Sequence, residues 1–506
     1  MNVLDSFSRQ ARAHPHNPAL TGNGKTLSYR QLWHTVARTA WHLESQGVAQ
    51  GDCVAVSRMT AQAHLVIVLA LARLGAVSTV VQNGWPDAKR AQVFLRNGVS
   101  AWVRDAESRQ PLDGVPGLRA IAAQSLFKVV GKEVQLPRLV RGLDDQPWRI
   151  NLSSGTTGDS KSIPWTHAQA AALQRASLDV YPSGPGERLL VFADLGIGLG
   201  MGHCMMQLAG GGTVILSDSI QPADFFRSVA QDKPTRALTT TAIAFDLLAY
   251  ARATPPGTPS TLLSLLLGGS AVPPALREGL QDKVCANLMV TYGSTETGTL
   301  ARADSHSFLA SPDSAGRIMP WIEAQAVDDQ DRSLPPGEHG TLRFRSRAMA
   351  SQYLGNAAAT AQTFREGWYY PGDVGAIEPA GYLLLGGRAD HVINLQGVKV
   401  NPVNVEDALN SHPTVIESAV VSVQRASGRR ALAAVVVPKG EIDTRALREY
   451  VREKLGRFPV PAFVMQAESL PKNEAGKLKR DEIQALVERT AQKAGRDEST
   501  DLPELP

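Results

Sequence analysis

Asn151-Leu-Ser-Ser-Gly-Thr-Thr-Gly-Asp-Ser-Lys161 gathers two glycines, five hydroxyl side chains and one lysine into eleven residues. That composition suits a loop wrapped around a polyphosphate. Gly155 and Gly158 allow backbone angles and close approaches barred to residues with a Cβ. Ser153, Ser154, Thr156 and Thr157 can donate to phosphate oxygens, and Lys161 adds positive charge. The spacing is not that of a Walker loop, because the lysine stands three residues beyond Gly158 and is followed by Ser162. Taken alone, the segment also fits a Ser/Thr/Gly linker, so the flanking chain has to decide between loop and linker.

The flanks favour layered α/β structure. Short apolar and β-branched runs, Val77–Val81, Leu189–Phe192, Thr213–Leu216, Leu262–Leu267 and Leu288–Thr291, alternate with helix-length amphipathic stretches. After residue 340 the rhythm changes to short strands with glycine turns, at Thr341–Arg345, Trp368–Tyr370 and Gly381–Leu385. From His391 a further α+β pattern begins, with strands near Val392–Leu395, Ser418–Val423 and Ala431–Val437 and helices near Val403–Asn410 and Arg445–Leu455. The last dozen residues are rich in Asp, Glu, Ser and Pro and read as a disordered tail.

Bulk properties narrow the partner. The 506 residues carry 52 basic and 48 acidic side chains, a formal charge of +4, too little to argue for nucleic acid or an anionic membrane. A small molecule is the expected ligand. The three cysteines, Cys53, Cys204 and Cys285, are far apart and without metal-ligand spacing, which favours a reducing compartment. No apolar stretch of signal length occupies the first twenty residues, and the longest clean apolar run, Leu65–Ala72, stops at Arg73. A cytoplasmic protein is expected.

Four more segments join the phosphate loop in one order: Leu266-Leu-Gly-Gly-Ser-Ala271, Thr291-Tyr-Gly-Ser-Thr-Glu-Thr-Gly298, Tyr370-Pro-Gly-Asp-Val374 with Gly387-Arg-Ala-Asp390, and Leu470-Pro-Lys-Asn-Glu-Ala-Gly-Lys-Leu-Lys-Arg480. Together they resemble the adenylate-forming superfamily of acyl- and aryl-CoA synthetases, nonribosomal peptide synthetase adenylation domains and beetle luciferases. The resemblance runs from the Thr26–Tyr29 region to Arg480. It implies that Gly268, Gly269 and Ser270 form the adenine-side turn, that Tyr292 stacks on adenine beside Gly293 and Ser294, that Thr295 contacts the α-phosphate and that Glu296 binds magnesium. A carboxylate beside bridging phosphates is the hard oxygen ligand this ion requires. Asp373 and Arg388 would hold the ribose. Lys477 would be the catalytic lysine, neutralising charge between the substrate carboxylate and the α-phosphate. Asp390 takes the hinge position, Gly397 in Gln396-Gly-Val-Lys399 lines the thiol channel, and Lys399 is the basic residue of that strand.

The fold implied is α/β: a large N-terminal domain of layered α/β subdomains plus a small β-barrel-like part over 1–388, a small mobile α+β domain over 389–493, and a tail over 494–506. ATP and Mg2+ are the implied cofactors. The partners are a carboxylic acid and a thiol, which is CoA or the phosphopantetheine of an acyl carrier protein. A catalytically silent scaffold is disfavoured because Lys477, Glu296, Asp373 and Arg388 are all present. Neither Gly196-Ile-Gly-Leu-Gly-Met-Gly202 nor Gly22-Asn-Gly-Lys-Thr26 completes a dinucleotide or Walker pattern.

That glycine run falls where the family's acyl-pocket helix begins. Counting from Lys161 places Gly196 or a neighbour at the usual histidine or aromatic gate. It places Gly198 where amino-acid-activating relatives carry an aspartate, and Asp194 lies four residues early. The pocket, expected to include Gly196, Gly198, Gly268, Tyr292 and Gly293, therefore suits an aromatic or bulky acid without an α-amino group. Close helix–sheet packing is the alternative reason for these glycines. His167, His203, His391 and His412 read as packing residues, and Lys472 and Lys479 as surface charges.

Overall fold

The structure is a computed structural model that describes residues 1–493 apart from 58, 82–84, 106–111, 129–133, 154–159, 255–260, 392, 396–397, 425–429, 457–458 and 473–476. The expected tail over 494–506 lies outside the described residues.

Two large sheets carry the first part of the chain. One has six strands in the order Arg119–Ala122, Val99–Arg104, Cys53–Ser57, Val77–Val81, Pro147–Leu152 and Ser162–Thr166, parallel except for the last. The other runs parallel through Pro18–Gly22, Thr213–Leu216, Arg188–Phe192, Arg236–Thr240, Ser264–Gly268 and Leu288–Ser294. Alternate residues of its strands enter different cores. Leu189 and Val191 pack towards the first sheet, whereas Leu190 and Phe192 pack with Phe225, Leu247 and Leu280 on the far side. Burial on both faces explains why these strands read as continuous apolar runs.

The helix Ala61–Leu74 fills the space between the sheets, with every residue from His64 to Leu74 buried. Its apolar run is therefore core, capped at Thr60 and stopped by Gly75 in the left-handed region at φ 72. Among the described residues no helix is long and apolar enough to cross a membrane. All three cysteines are buried and free.

The barrel-like part does not close. Gly298–Ala303, Ser314–Ile318, Tyr382–Arg388, Asp373–Ile377, Gly340–Arg345, Trp368–Tyr369 and Phe364–Arg365 continue the second sheet as antiparallel neighbours, and with Lys25–Ser28 beside Pro18–Gly22 and Glu323–Val327 beside Gly340–Arg345 the sheet has fifteen strands. Its first turn back is made by Gly293, where a Cβ would lie 1.9 Å from the Gly298 carbonyl oxygen. Beyond it, Val415–Gln424, Arg430–Pro438 and Phe463–Gln466 form a separate three-stranded sheet. The helices Pro402–Asn410 and Thr444–Leu455 cover one face of it, and Arg480–Lys493 the other. The last helix and the strand Phe463–Gln466 were not singled out by sequence pattern.

Candidate active site

The phosphate-loop segment leaves the end of one strand and returns along its antiparallel neighbour. Its base is pinned where Ser153 N donates to Lys161 O at 3.0 Å and Lys161 N to Ser153 Oγ at 3.2 Å. Ser154, Gly155, Thr156, Thr157 and Gly158 lie outside the described residues. The Lys161 ammonium sits 4.5 Å from the Tyr353 ring centroid, and the Tyr353 hydroxyl donates to Glu296 Oε1 at 2.8 Å. One tyrosine thus connects the loop lysine to the expected magnesium ligand. Sequence reading missed it, since a lone aromatic in Ala350-Ser-Gln-Tyr-Leu-Gly355 has no motif of its own. Burial first, and then the Glu296 carboxylate, push its phenol up, so it remains a donor.

Thr295 and Glu296 occupy the tight turn between Leu288–Ser294 and Gly298–Ala303, closed by Ser294 N donating to Thr297 Oγ1 at 3.1 Å. Trp165 Nε1 donates to Thr295 O at 3.0 Å and Ala350 N to Glu296 O at 2.8 Å. The turn is therefore fixed from both sides. Tyr292 donates its hydroxyl to Asp373 Oδ2. Burial, followed by that carboxylate, raises its phenol far above the ordinary range. Asp373 and Arg388 are direct cross-strand partners, with Arg388 Nη1 3.8 Å from Asp373 Oδ1 and donating to Pro371 O at 3.1 Å. Three separated segments thereby meet in one cluster. On the adenine side, Gly269 has φ +104 and Ser270 O accepts from Thr241 Oγ1 at 3.0 Å. A Cβ on Gly268 would lie 2.8 Å from Thr291 Oγ1, a contact that only glycine allows.

The glycine run divides into two kinds. Gly196 and Gly200 are packing glycines. A Cβ on Gly196 would approach Asp194 Oδ1 and Val80 Cγ1 at 3.0 Å, and one on Gly200 the Asp194 carbonyl oxygen at 3.0 Å. Asp194 itself accepts from Gly196 N at 2.7 Å, holding the turn into the helix Gly198–Gly210. Gly198 and Gly202 are open instead. Around a Cβ on Gly198 the nearest atoms would be Asn151 Nδ2 at 3.6 Å and Thr295 Cγ2 at 4.0 Å, and around one on Gly202 there would be nothing within 4 Å. His203 faces away, its Nδ1 at 2.9 Å from Leu199 O and its ring edge-on to Tyr181.

Behind Gly198 stand two more residues outside the sequence reading, Asn151 and Arg149, 8% and 1% exposed on the buried face of the strand that feeds the phosphate loop. Arg149 Nε donates to Asn151 Oδ1 at 2.8 Å and its Nη2 to Leu195 O at 3.0 Å.

Of the expected packing residues, His167 is buried and accepts from Val3 N at 3.0 Å. Lys479 pairs with Glu482 on the surface. Lys472 is a correction. Rather than a surface charge it is a half-buried contact between the two parts of the chain, paired with Glu417 at 2.5 Å and lying 4.5 Å from the Phe245 ring centroid in the helix Thr241–Ala253. Lys477 is exposed, one residue before Leu478, which bridges back to Lys472. The lysine-bearing segment is thus docked beside the helix whose first residue holds the Ser270 turn. Asp390 lies in the short turn Ala389–His391 and Lys399 in the hairpin strand Val398–Val400. Gly397 lies outside the described residues.

Two family models match this chain, "AMP-binding enzyme" over residues 7–354 and "AMP-binding enzyme C-terminal domain" over 404–477. Feruloyl-CoA synthase of an Amycolatopsis species is 29% identical over 487 residues, covering 94% of this chain and 97% of that protein. The medium-chain fatty-acid–CoA ligase of Escherichia coli is 26% identical over 514 residues, covering 95% and 89%. The solved o-succinylbenzoate coenzyme A synthetase of Bacillus subtilis, in complex with ATP and magnesium ion, shares the fold with a TM-score of 0.83 at 22% identity, over 95% of this chain and 99% of that one. The first model alone spans well over half of the 506 residues, and the chain belongs to the AMP-binding enzyme family.

Proposed function

We propose that this chain is an ATP-dependent acid–thiol ligase acting on an aromatic or bulky carboxylic acid that lacks an α-amino group, with CoA as acceptor. The observation that carries the reading is the convergence of Tyr292, Asp373 and Arg388, from three distant segments, beside the turn that presents Thr295 and Glu296. Asp373 offers a carboxylate to the ribose hydroxyls. Glu296, 6% exposed and oriented by Tyr353, would offer one hard oxygen ligand to a magnesium ion. The ion supplies neutralisation of phosphate charge when bound.

The substrate carboxylate is already a nucleophile at neutral pH and needs no general base. Its oxygen bonds to the α-phosphorus, the bond to the bridging oxygen breaks, and pyrophosphate leaves with the electron pair. Thr295 and the loop hydroxyls position the phosphates, and Lys477 neutralises charge at the reacting oxygens. The docking of its segment against Phe245 supports that role. In the second half-reaction a thiolate adds to the acyl carbon and AMP departs. Gly397 would leave room for the pantetheine arm. Residues 1–388 would form the adenylating domain and 389–493 the small domain that turns about Asp390.

The pocket wall supports the substrate class. An α-ammonium beside Gly198 would meet an amide donor backed by a guanidinium instead of a carboxylate. The names of the relatives favour CoA over a carrier protein. Pyrophosphate release across aromatic, fatty and amino acids, followed by product analysis with CoA and with carrier protein, tests the reading. Acid-dependent pyrophosphate release and an acyl-CoA product are expected. An α-amino acid preferred over its deaminated analogue, or rapid acylation of a carrier protein with negligible turnover of CoA, would overturn it.

A further inference from the structure

Arg149 is 1% exposed on the strand Pro147–Leu152, and among the described residues no carboxylate lies within ion-pair distance of it. Its Nη1 has no hydrogen-bond partner among the described residues. A guanidinium carries donors only, so the Asn151 atom that receives Nε–H at 2.8 Å must be the carbonyl oxygen. The orientation of the Asn151 amide is therefore fixed by chemistry: Nδ2 faces the other way, towards the space left by Gly198, and donates to no described residue. The charged partner polarises the amide and strengthens that outward donor.

The position of this donor along the pocket is also defined. The place of a Cβ on Gly198 is 3.6 Å from Nδ2 and 4.0 Å from the methyl of Thr295, the residue expected at the α-phosphate. On the ligase reading, on which this inference rests, the acyl carbon is joined to that phosphate. A group beside Gly198 then belongs to the atom next to the carboxyl carbon.

We propose that Asn151, positioned by Arg149, is a specificity-determining residue that donates from Nδ2 to an oxygen on carbon 2 of the acid, so that the enzyme takes 2-hydroxy or 2-oxo acids. Arg149 acts through Asn151 and is a positioning residue. Its burial lowers the guanidinium to about 10, which leaves it cationic at neutral pH. A 2-amino acid fails at the same place because its ammonium has no lone pair to accept with.

The test uses the full chain with MgATP and pairs of acids that differ only at carbon 2, such as mandelate with phenylacetate and 2-hydroxyoctanoate with octanoate, read as the ratio of kcat/KM for pyrophosphate release within each pair. For at least one pair the wild type is expected to favour the oxygenated member tenfold to a hundredfold, a ratio that Asn151→Leu collapses to near unity. Asn151→Asp keeps the shape and still accepts from Arg149, so it guards against simple misfolding. It replaces the donor by an acceptor and is expected to turn the ratio below one while admitting the 2-amino analogue. A wild-type ratio near unity for every pair, or a preference that survives both substitutions, overturns the inference and leaves the ligase reading standing. Absence of acid-dependent pyrophosphate release from both members of every pair overturns the ligase reading and this inference with it.

Discussion

Replacing Gly198 by aspartate separates what the pocket wall does for binding from what it does for folding. Gly198 is the first residue of the helix Gly198–Gly210, and it does not have a positive φ. A Cβ would meet nothing closer than 3.6 Å, so neither strain nor a clash opposes the change. Loss of a helical glycine gains a few tenths of a kcal/mol, and a carboxylate in the first turn gains about 0.3–1 kcal/mol more. Asn151 Nδ2 is within reach of the new side chain, and the Arg149 charge stands behind it. The new carboxylate is therefore partnered, and the variant should unfold no lower than the wild type, with a gain of about 1 kcal/mol or a degree or two in Tm.

Catalysis should respond in the opposite direction. The substrate carboxylate would lie about 4 Å from the introduced one, and two like charges at that separation repel by ~4 kcal/mol at an effective dielectric of about 20. Arg149 offsets part of this. A loss of about 10²–10³ in kcat/KM for the wild-type acid follows, at about 1.4 kcal/mol per tenfold. The assays are a thermal melt and pyrophosphate release on the same preparation, with an α-amino acid of matching side chain added as a second substrate. The ammonium should regain part of the loss. A Tm lowered by more than 5 °C, or activity within threefold of wild type, would refute the placement of Gly198 on the substrate wall.

Lys477→Ala should lose about 10²–10³ in adenylation while transfer from pre-formed acyl-adenylate to CoA survives, and equal loss of both half-reactions would contradict the assigned role. Glu296→Gln should raise the magnesium concentration needed for half-maximal activity, and Asp373→Ala should raise the KM for ATP; unchanged nucleotide kinetics in both variants would break the motif assignment. Acid should unfold the protein steeply. His64, His167 and His203 are buried and lowered from 6.5 to about 4, first by desolvation, so the unfolded chain binds protons that the folded one refuses. Stability is then full above pH 6.5 and falls towards pH 4 by up to ~1.4 kcal/mol per pH unit for each histidine. Unfolding free energies at pH 7 and pH 5 should differ by about 2 kcal/mol less in His167→Gln than in wild type.

The sequence was most legible where one residue type served one geometry. Val77–Val81 and Thr213–Leu216 are strands with the expected bounds, because short runs dominated by β-branched residues and opening just after a glycine leave a parallel sheet few alternatives. The cluster of Tyr292, Asp373 and Arg388 was legible as motifs, and the structure brings them together because Asp373 and Arg388 face each other on paired strands and Tyr292 donates to Asp373. Contacts formed across long separations left no local trace. Tyr353 reaches Glu296 over 57 positions, and Lys472 reads as one more charge until Phe245 is folded against it. Arg149 and Asn151 were hidden for a different reason. Their two-residue spacing was visible, but which face of the strand they occupy, and that Gly198 lies opposite, depends on the packing of two sheets. The open barrel-like part likewise depended on pairing order, which short antiparallel runs do not encode singly.

The contact made by Lys472 also bears on how one chain could run two half-reactions. Its ion pair with Glu417 lies wholly within the small domain. Across to the large domain, the ammonium lies over Phe245 and near the Asp246 carboxylate of the same helix. A cation–π contact of this kind contributes about 0.5–2 kcal/mol, enough to populate one docked orientation severalfold and small enough to release it on the timescale of turnover. Under the proposed cycle that balance is required, because the Lys477 segment must be held during adenylation and withdrawn before the thiol arrives. Phe245→Leu keeps the apolar volume and removes the ring face. The adenylation rate should fall severalfold in this variant while transfer from pre-formed acyl-adenylate holds or rises. A parallel fall in both rates would mean that Phe245 supports the pocket and does not hold the small domain in place.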